Sequence, residues 1–268
     1  MSNIAPEKAY SSAVQIMNKV MKEKRSLSDI ENARIMRFFD SMYRTHDYGS
    51  EYYALSACYY GMVSDIDNLL FYSEKVMSDL QNGKIDVGSS VENVLIALGN
   101  SLMVREVYHY MKGYNFPLST MSEAVIELFM NTSIYMRDVD RFETMKCEFG
   151  DKVNNINKMD ELNSFFLRNS NNSSELSSYV CDAFNIVSRD ISKVARNTYK
   201  LPPLTEYDFD ICNDDGYEFV SISFLFPAGS GIDIVLDLEE LFLSSINGLD
   251  YKAGVKTKIS FDFAIDGE

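Results

Sequence analysis

Apolar residues recur along the first 200 positions with the three- and four-residue spacing of amphipathic helices. One such stripe comprises Ile66, Leu69, Leu70, Val76, Met77 and Leu80, and another comprises Ile30, Ala33, Met36, Phe39 and Tyr43. Further stripes begin near residues 10, 52, 91, 121 and 156. We interpret the stripes as alternating first and second helices of five helical hairpins.

A short motif recurs where the second helices are predicted to begin. It reads SDIEN from residue 28, SDIDN from 64, REVYH from 105, RDVDR from 137 and SELSS from 174, so the spacings are 36, 41, 32 and 37 residues. Serine and an acid suit a helix N-terminus, and an aliphatic residue then begins the core-facing stripe. The motif predicts N-caps at Ser28, Ser64 and Ser174, and burial of Ile30, Ile66, Val107, Val139 and Leu176.

The hexapeptide SDIENA, Ser28 to Ala33, resembles the inter-helix turn of the tetratricopeptide repeat, whose helical hairpins recur about every 34 residues. The resemblance covers about residues 5–200 and is degenerate, because later units have large residues where the family has a small one. These residues are Leu69, Tyr110, Phe142 and Tyr179. The resemblance implies a solenoid with a concave groove for a peptide or protein. An irregular all-α domain of helical hairpins is the alternative.

The pattern changes at Pro202 and Pro203, which lack backbone donors and disfavour a helix. Beyond them, residues 207–212 and 220–226 alternate with period two around an NDDG turn and predict a β-hairpin. Residues 232–236 predict a third strand, and residues 255–265 predict a fourth. Between these two, Asp237 and Glu240 have capping-box spacing and predict a short helix that ends at Asn247-Gly248.

The sequence thus predicts a mainly α protein in two parts. Residues 1–200 form a solenoid-like array of about five helical hairpins, and residues 201–268 form a small acidic α+β domain with an antiparallel sheet. The chain is 46% apolar and 24% charged, as in folded proteins.

Negative charge is concentrated in the predicted tail. Residues 1–200 contain 26 acids and 22 bases, a balance of 22 − 26 = −4, whereas residues 201–268 contain 14 acids and three lysines, a balance of 3 − 14 = −11. Such a field repels nucleic-acid backbones and attracts basic surfaces. Either the acids only solvate the tail, or they form a surface for a basic partner; the candidates are Asp208, Asp210, Asp214, Asp215 and Glu218.

Aromatic residues offer a second candidate surface. Tyr52, Tyr53, Tyr59 and Tyr60 crowd one predicted helix, and tyrosine provides rigid contact area with a polar tip. These four tyrosines are candidates for partner binding. The alternative is that solenoid helices bury two faces and need the additional apolar bulk.

Motifs for catalysis, nucleotides and metals are absent from the sequence. Only His46 and His109 are available as histidines, and the nearest two cysteines are Cys181 and Cys212, 212 − 181 = 31 residues apart. The acidic turn near Gly216 does not match the spacing of an EF-hand loop. We expect no catalytic residue, no metal site and no cofactor, and we expect unpaired thiols at all four cysteines.

We expect a protein-interaction module, such as an adaptor, chaperone, antitoxin or immunity-type inhibitor, that binds a peptide or a basic protein. A receptor for a small ligand or peptide, with the repeats as its sensor, is the alternative, and an enzyme with unrecognised carboxylate chemistry is a third. The polar N-terminus and the lack of a 20-residue apolar run favour a cytoplasmic protein with no membrane contact. We expect no direct binding of nucleic acid. The sequence makes no prediction of the oligomeric state.

Overall fold

The computed structural model describes residues 6–45, 49–202, 206–214 and 216–266. Ten helices form the five predicted hairpins: α1 (Pro6–Lys22) with α2 (Asp29–Thr45), α3 (Ser50–Met62) with α4 (Ile66–Gln81), α5 (Ser89–Asn100) with α6 (Val104–Gly113), α7 (Glu123–Tyr135) with α8 (Val139–Phe149), and α9 (Ile156–Arg168) with α10 (Ser173–Ile186). Each second helix begins within two residues of its recurring motif. Within the described part of residues 1–200 there is no strand, as predicted.

The turns between the paired helices repeat the same backbone geometry in the first four hairpins. One residue of each turn has positive φ, and the following N–H donates to the carbonyl five residues before it, which is a Schellman-type helix end. The residues with positive φ are Lys24 (44°), Ser64 (53°), Leu102 (58°) and Arg137 (58°). The donor and acceptor pairs are Arg25 to Val20, Asp65 to Tyr60, Met103 to Leu98, and Asp138 to Ser133. Four non-glycine residues in this conformation show that the turn is a structural repeat.

The predicted N-caps are correct for one hairpin only. Ser28 Oγ accepts from the Glu31 N–H (3.3 Å), and the Glu31 carboxylate accepts from the Ser28 N–H (3.0 Å), so a capping box begins α2. The prediction for Ser64 is wrong because this residue occupies the left-handed turn position, and Asp65 caps α4 by accepting from the Asn68 N–H. Ser174 lies inside α10, where no side-chain cap is formed.

Three of the five predicted core positions are buried. Ile66, Val107 and Leu176 are buried, and Val139 is half-buried. The prediction for Ile30 is wrong, because this residue is 67% exposed. The buried stripe of α2 is instead Ile35, Phe39 and Met42. The first hairpin stands at the end of the array and has a neighbour on one side only, so one face of α2 stays in water.

Beyond the fifth hairpin, a π-helical turn at Val187–Ile191 continues α10 into α11 (Ser192–Tyr199). The tail then forms β1 (Glu206–Asp214), β2 (Tyr217–Phe226), α12 (Ile232–Asn247), the short α13 (Ala253–Lys256) and β3 (Ile259–Ile265). The sheet order is β1-β2-β3; β1 and β2 are antiparallel, whereas β2 and β3 are parallel. The predicted antiparallel sheet is therefore corrected to a mixed sheet.

The predicted third strand is wrong, because residues 232–236 are the first turns of α12. Ile232 and Leu236 alternate with polar residues, but their side chains are 56% and 53% exposed. The residues of α12 that reach the core are spaced by three and four: Val235, Leu238, Phe242 and Ile246. The helix starts at Ile232, so Asp237 and Glu240 form no cap. Its end at Asn247 agrees with the prediction, and it supplies the crossover that parallel strands require.

One apolar core extends from α3 to β3, across the predicted boundary at residue 200. Tyr179 on α10 contacts Phe261 on β3 with ring centroids 5.5 Å apart, and Phe184 contacts Phe224 on β2 at 5.9 Å. The first hairpin has its own smaller core, in which α1 and α2 pack against one face of α3. The division into residues 1–200 and 201–268 stays a prediction.

Candidate functional site

A cavity of about 400 Å³ lies between α1, α3 and α5 and is closed at one end by the sheet. We call this cavity the groove. The three helices are the first helices of successive hairpins, and the sheet contributes the start of β1 and the ends of β2 and β3. Apolar side chains form much of its surface, among them Val14, Leu55, Ile96 and Leu225. Binding pockets commonly combine such a lining with a few polar groups.

The base of the groove depends on a close approach between α3 and α5. Gly61 on α3 has no side chain, and a Cβ at this position would lie 3.2 Å from Ser101 Oγ at the end of α5. Ala54 and Ala97 continue the small surface along the two helices. Small residues on the facing helices therefore let α3 and α5 pack closely as the base of the groove, and α1 forms its outer wall.

Three asparagines provide the polar groups of the groove. Asn18 lies on α1, and Asn93 and Asn100 lie one heptad apart on α5. Their side-chain amides form no hydrogen bond with any residue that the structure describes. Each amide carries two donors and an accepting oxygen. The groove thus presents donors and acceptors beside apolar walls.

The Cys58 thiol also faces the groove and is paired with the backbone. Its S–H donates to the Asn93 carbonyl oxygen at 3.6 Å. Burial raises the pKa of Cys58 to about 11, so the side chain is a neutral thiol at physiological pH. All four cysteines are unpaired in the structure.

Ion pairs at the rim of the groove join the first hairpin to the tail. Lys24 Nζ lies 2.9 Å from an Asp266 oxygen and 3.0 Å from a Glu206 oxygen, and these hydrogen bonds raise the pKa of Lys24. Nearby, Ser26 Oγ donates to the Lys200 carbonyl at 2.9 Å. The left-handed conformation of Lys24 places its side chain at this rim. The α1–α2 turn therefore connects the outer wall of the groove to the sheet.

The same turn contains a carboxylate with a lowered pKa. Arg25 binds Glu31 through two hydrogen bonds of 2.7 Å, and the Ser28 N–H donates to it as well; together they lower the pKa of Glu31 from 4.5 to about 2. A lowered folded-state pKa contributes stability above pH 4.5, and this contribution is lost as the pH falls toward 2.

We expect Glu31→Gln to lower the free energy of unfolding by about 1 kcal/mol at pH 7, because a capping box and a partly exposed ion pair are lost. The difference from the wild type should shrink as the pH falls from 4.5 toward 2. Urea unfolding at pH 7 and at pH 3 measures this. Glu161→Gln is the control, since Glu161 is exposed and forms no ion pair with a described residue. A pH-independent difference would contradict the expectation.

The four candidate tyrosines are packed between the first two hairpins. Tyr52 and Tyr59 are buried, and Tyr59 OH donates to Asn32 on α2. Tyr52 and Tyr59 therefore offer little surface to a partner, which favours the alternative that α3 buries two faces; partner binding by the four tyrosines stays a prediction. Tyr53 and Tyr60 are half-buried, and Tyr60 stacks on Tyr72 with ring centroids 5.4 Å apart.

The candidate acids of the β1–β2 hairpin contact α9. Lys158 Nζ lies 2.6 Å from Asp208 and 3.2 Å from Asp210, and Arg168 makes a two-point contact with Glu218. The hairpin therefore docks on basic residues of its own chain, and binding of a basic partner by these acids stays a prediction. A sequence has no signal for this pairing, because the partners are 50 residues apart. Asp214 is exposed, and Asp215 lies outside the described residues.

Sequence reasoning missed the asparagines and Lys24. The i, i+7 spacing of Asn93 and Asn100 in an otherwise apolar helix was an available signal, because it places two amides on one face. No sequence pattern indicated Lys24, because its partners Glu206 and Asp266 lie 182 and 242 positions farther along the chain.

Among the described residues, no three His, Cys, Asp or Glu side chains are grouped so that they would hold a metal ion. In the same part of the chain, no helix combines the length and the apolar character needed to cross a membrane. His46 lies outside the described residues, and His109 is exposed on α6. Comparisons with protein-family models, with curated proteins and with solved structures gave no match to this chain.

Proposed function

We propose that the chain is a protein-interaction module that binds a short peptide segment of a partner protein in the groove. The observation that carries this proposal is the cavity of about 400 Å³, in which solvent-accessible asparagine amides lie beside apolar walls. A peptide backbone alternates donors and acceptors, and an asparagine amide supplies both. Adaptor, chaperone, antitoxin and immunity-type inhibitor are the roles that such an activity serves.

The groove favours an uncharged segment. The charged side chains at its rim are paired with one another, namely Lys24 with Glu206 and Asp266, and Arg25 with Glu23 and Glu31. Burying an unpaired polar group costs about 2–7 kcal/mol, and burying an unpaired ion costs more. A further charge in the groove would therefore need a partner of opposite charge. We therefore expect the bound segment to have small or apolar side chains and to use its backbone for hydrogen bonds.

We further propose that the hairpins are degenerate tetratricopeptide-like repeats, since α1, α3 and α5 line one groove in succession. We propose that the function is non-enzymatic and needs no cofactor. The unpaired state of all four cysteines, including exposed Cys147, supports our proposal of a reducing, cytoplasmic location.

The second candidate is a receptor that transmits occupancy of the groove to the tail. It is favoured by the ion pairs of Lys24 with Glu206 and Asp266, because a ligand that moved α1 would break them. In this case the occupant would be a small molecule or a free peptide, and the tail would engage the next protein.

A peptide-display selection tests the peptide proposal. We expect the wild type to enrich a family of peptides, and we expect Asn93→Ala with Asn100→Ala to weaken their binding at least about tenfold, because two or more hydrogen bonds are lost. Isothermal titration with the selected peptides measures the change.

The control replaces Asn154 and Asn197, which are exposed and lie outside the groove, with alanine. It should bind the peptides as the wild type does. Peptides that bind the Asn93 and Asn100 variant with unchanged affinity would contradict the proposal. Selection of no peptide, together with a small molecule that protects the groove from solvent exchange, would favour the receptor.

A further inference from the structure

The exposed side of α12 carries an apolar stripe. Ile232, Leu236 and Leu243 have 56%, 53% and 40% of their surface exposed. At 100° per residue they fall within about 40° of one another around the helix, and they extend over 243 − 232 = 11 residues, or about 16 Å. The residues of α12 that face the core, Val235, Leu238, Phe242 and Ile246, centre about 95° away from the stripe around the helix, so the stripe lies beside the core face. Three large exposed side chains in one line differ from the isolated apolar residues of an ordinary surface.

Acidic residues border this stripe on both sides. By helical position, Glu239 lies on one side, and Asp233 and Glu240 lie on the other, with Asp237 farther round. The helix contains these four acids and no lysine or arginine. Among the described residues, no basic side chain forms an ion pair with any of the four. Asp237 accepts a hydrogen bond from Tyr199 OH at 3.1 Å, which leaves its charge in place.

Five other acids of the tail do have a basic partner. Asp208, Asp210 and Glu218 are paired with α9, and Glu206 and Asp266 are paired with Lys24. Asp214, Asp250 and Asp262 also form no ion pair with a described residue, but they lie apart from one another in the tail, whereas α12 carries four such carboxylates on one helix. A partner that matches α12 must have basic residues beside apolar ones.

We propose that α12 is the docking surface for a basic amphipathic helix of another protein. An apolar face of the incoming helix covers Ile232, Leu236 and Leu243, and lysines or arginines at its border meet the carboxylates of Asp233, Glu239 and Glu240. A stripe of 16 Å matches three turns, so the docking segment has about 11 to 15 residues.

A second copy of this chain is a poor occupant by the same argument. Two α12 helices brought together would place eight carboxylates in one interface with no basic residue to balance them, and like charges in contact oppose association. The proposal does not rest on peptide binding in the groove, because α12 contributes no residue to the groove.

Binding of a model peptide tests the proposal. The probe is a fluorescent 14-residue peptide of leucine and lysine, with leucines at i, i+3, i+4 and i+7, and the same peptide with glutamate in place of lysine is the negative probe. We expect the lysine peptide to bind by fluorescence anisotropy, more weakly as salt rises, and the glutamate peptide not to bind. Leu236→Gln with Leu243→Gln should weaken binding at least about tenfold.

Matched variants separate α12 from the acidic surface as a whole. Neutralising Asp233, Asp237, Glu239 and Glu240 to Asn and Gln should weaken binding and reduce its salt dependence. The apolar control is Leu167→Gln, since Leu167 is 48% exposed on α9. This variant should bind the lysine peptide as tightly as the wild type does. The charge control, which should also bind as the wild type does, neutralises Asp86, Glu148, Asp151 and Glu161, all of which are exposed.

The proposal is overturned if the Leu236 and Leu243 variant binds the lysine peptide as tightly as the wild type, or if the charge control loses as much affinity as the α12 variant. Sedimentation that shows a dimer of the wild type and a monomer of that apolar variant would assign α12 to self-association and would also overturn it. Should the double variant lose its helical circular dichroism, Ile232→Lys replaces it, with the same expected loss. The Asn93 and Asn100 variant should bind the probe normally, so failure here leaves the groove proposal standing.

Discussion

Phe224→Ala should lower the free energy of unfolding by about 3–5 kcal/mol, because it removes a large, fully buried ring from the centre of the core. Phe224 on β2 contacts four other phenylalanines, with ring centroids between 5.5 and 6.2 Å away: Phe184, Phe242, Phe261 and Phe263. The side chains around the resulting cavity lie on three elements, α10, α12 and β3. A shift of one of these elements alone would therefore not fill the cavity.

This substitution also tests whether the tail is a separate domain. Because the core is continuous from α3 to β3, we expect the helical signal of the whole chain and the near-ultraviolet aromatic signal to be lost at one lowered denaturant midpoint. Phe71→Ala is the control, since Phe71 is 53% exposed, and it should cost less than about 1 kcal/mol. A helical transition that stays at the wild-type midpoint while only the sheet melts earlier would support two independent domains.

Ile35→Asp should unfold the first hairpin while the rest of the chain stays folded. Ile35 is fully buried in the small core that α1 and α2 form with one face of α3. An unpaired carboxylate there costs more than about 4 kcal/mol, which exceeds what a two-helix unit can supply. Hydrogen exchange should therefore increase at amides of residues 6–45 and remain slow in α5 and α7.

The matched control for this experiment lies on the same helix. Ile30 is 67% exposed and stands near the N-terminus of α2, so Ile30→Asp should leave exchange unchanged and even favour the helix dipole. Faster exchange throughout the chain in the Ile35 variant would show that the two cores unfold together.

The groove is lined by helices that belong to two different cores. Its outer wall, α1, belongs to the first hairpin, whereas its base, formed by α3 and α5, is continuous with the main core. Opening of the first hairpin would widen the groove without disturbing the base. The rim contacts of Lys24 with Glu206 and Asp266 oppose this motion.

Local sequence determined the helices and their pairing. The periodicity of apolar residues, together with an acid near each helix start, located five second helices to within two residues, since these signals act over one or two turns of chain. Pro202 marked the end of the helical series for the same reason. The β1–β2 hairpin followed from alternation around a turn, which is also a short-range signal.

The error at α12 shows where local pattern is ambiguous. Ile232, Ile234 and Leu236 fit a strand by alternation, and Val235, Leu238 and Phe242 fit a helix by spacing. Both patterns are present in one segment, and only burial against the sheet and α10 decides between them. Once the segment is a helix, Ile232 and Leu236 lie outside the core, and the apolar stripe of α12 results.

The sequence by itself determined a helical array, an acidic tail and the absence of recognised catalytic motifs. Tertiary structure alone decided which charges are free and where a partner has room to bind. Lys158 and Arg168 pair with acids of the β1–β2 hairpin from 50 residues away, and Lys24 reaches the sheet across more than 180 residues. Charge compensation and cavities depend on distances in space between residues that are remote along the chain, and a linear pattern of polar and apolar positions contains no measure of those distances.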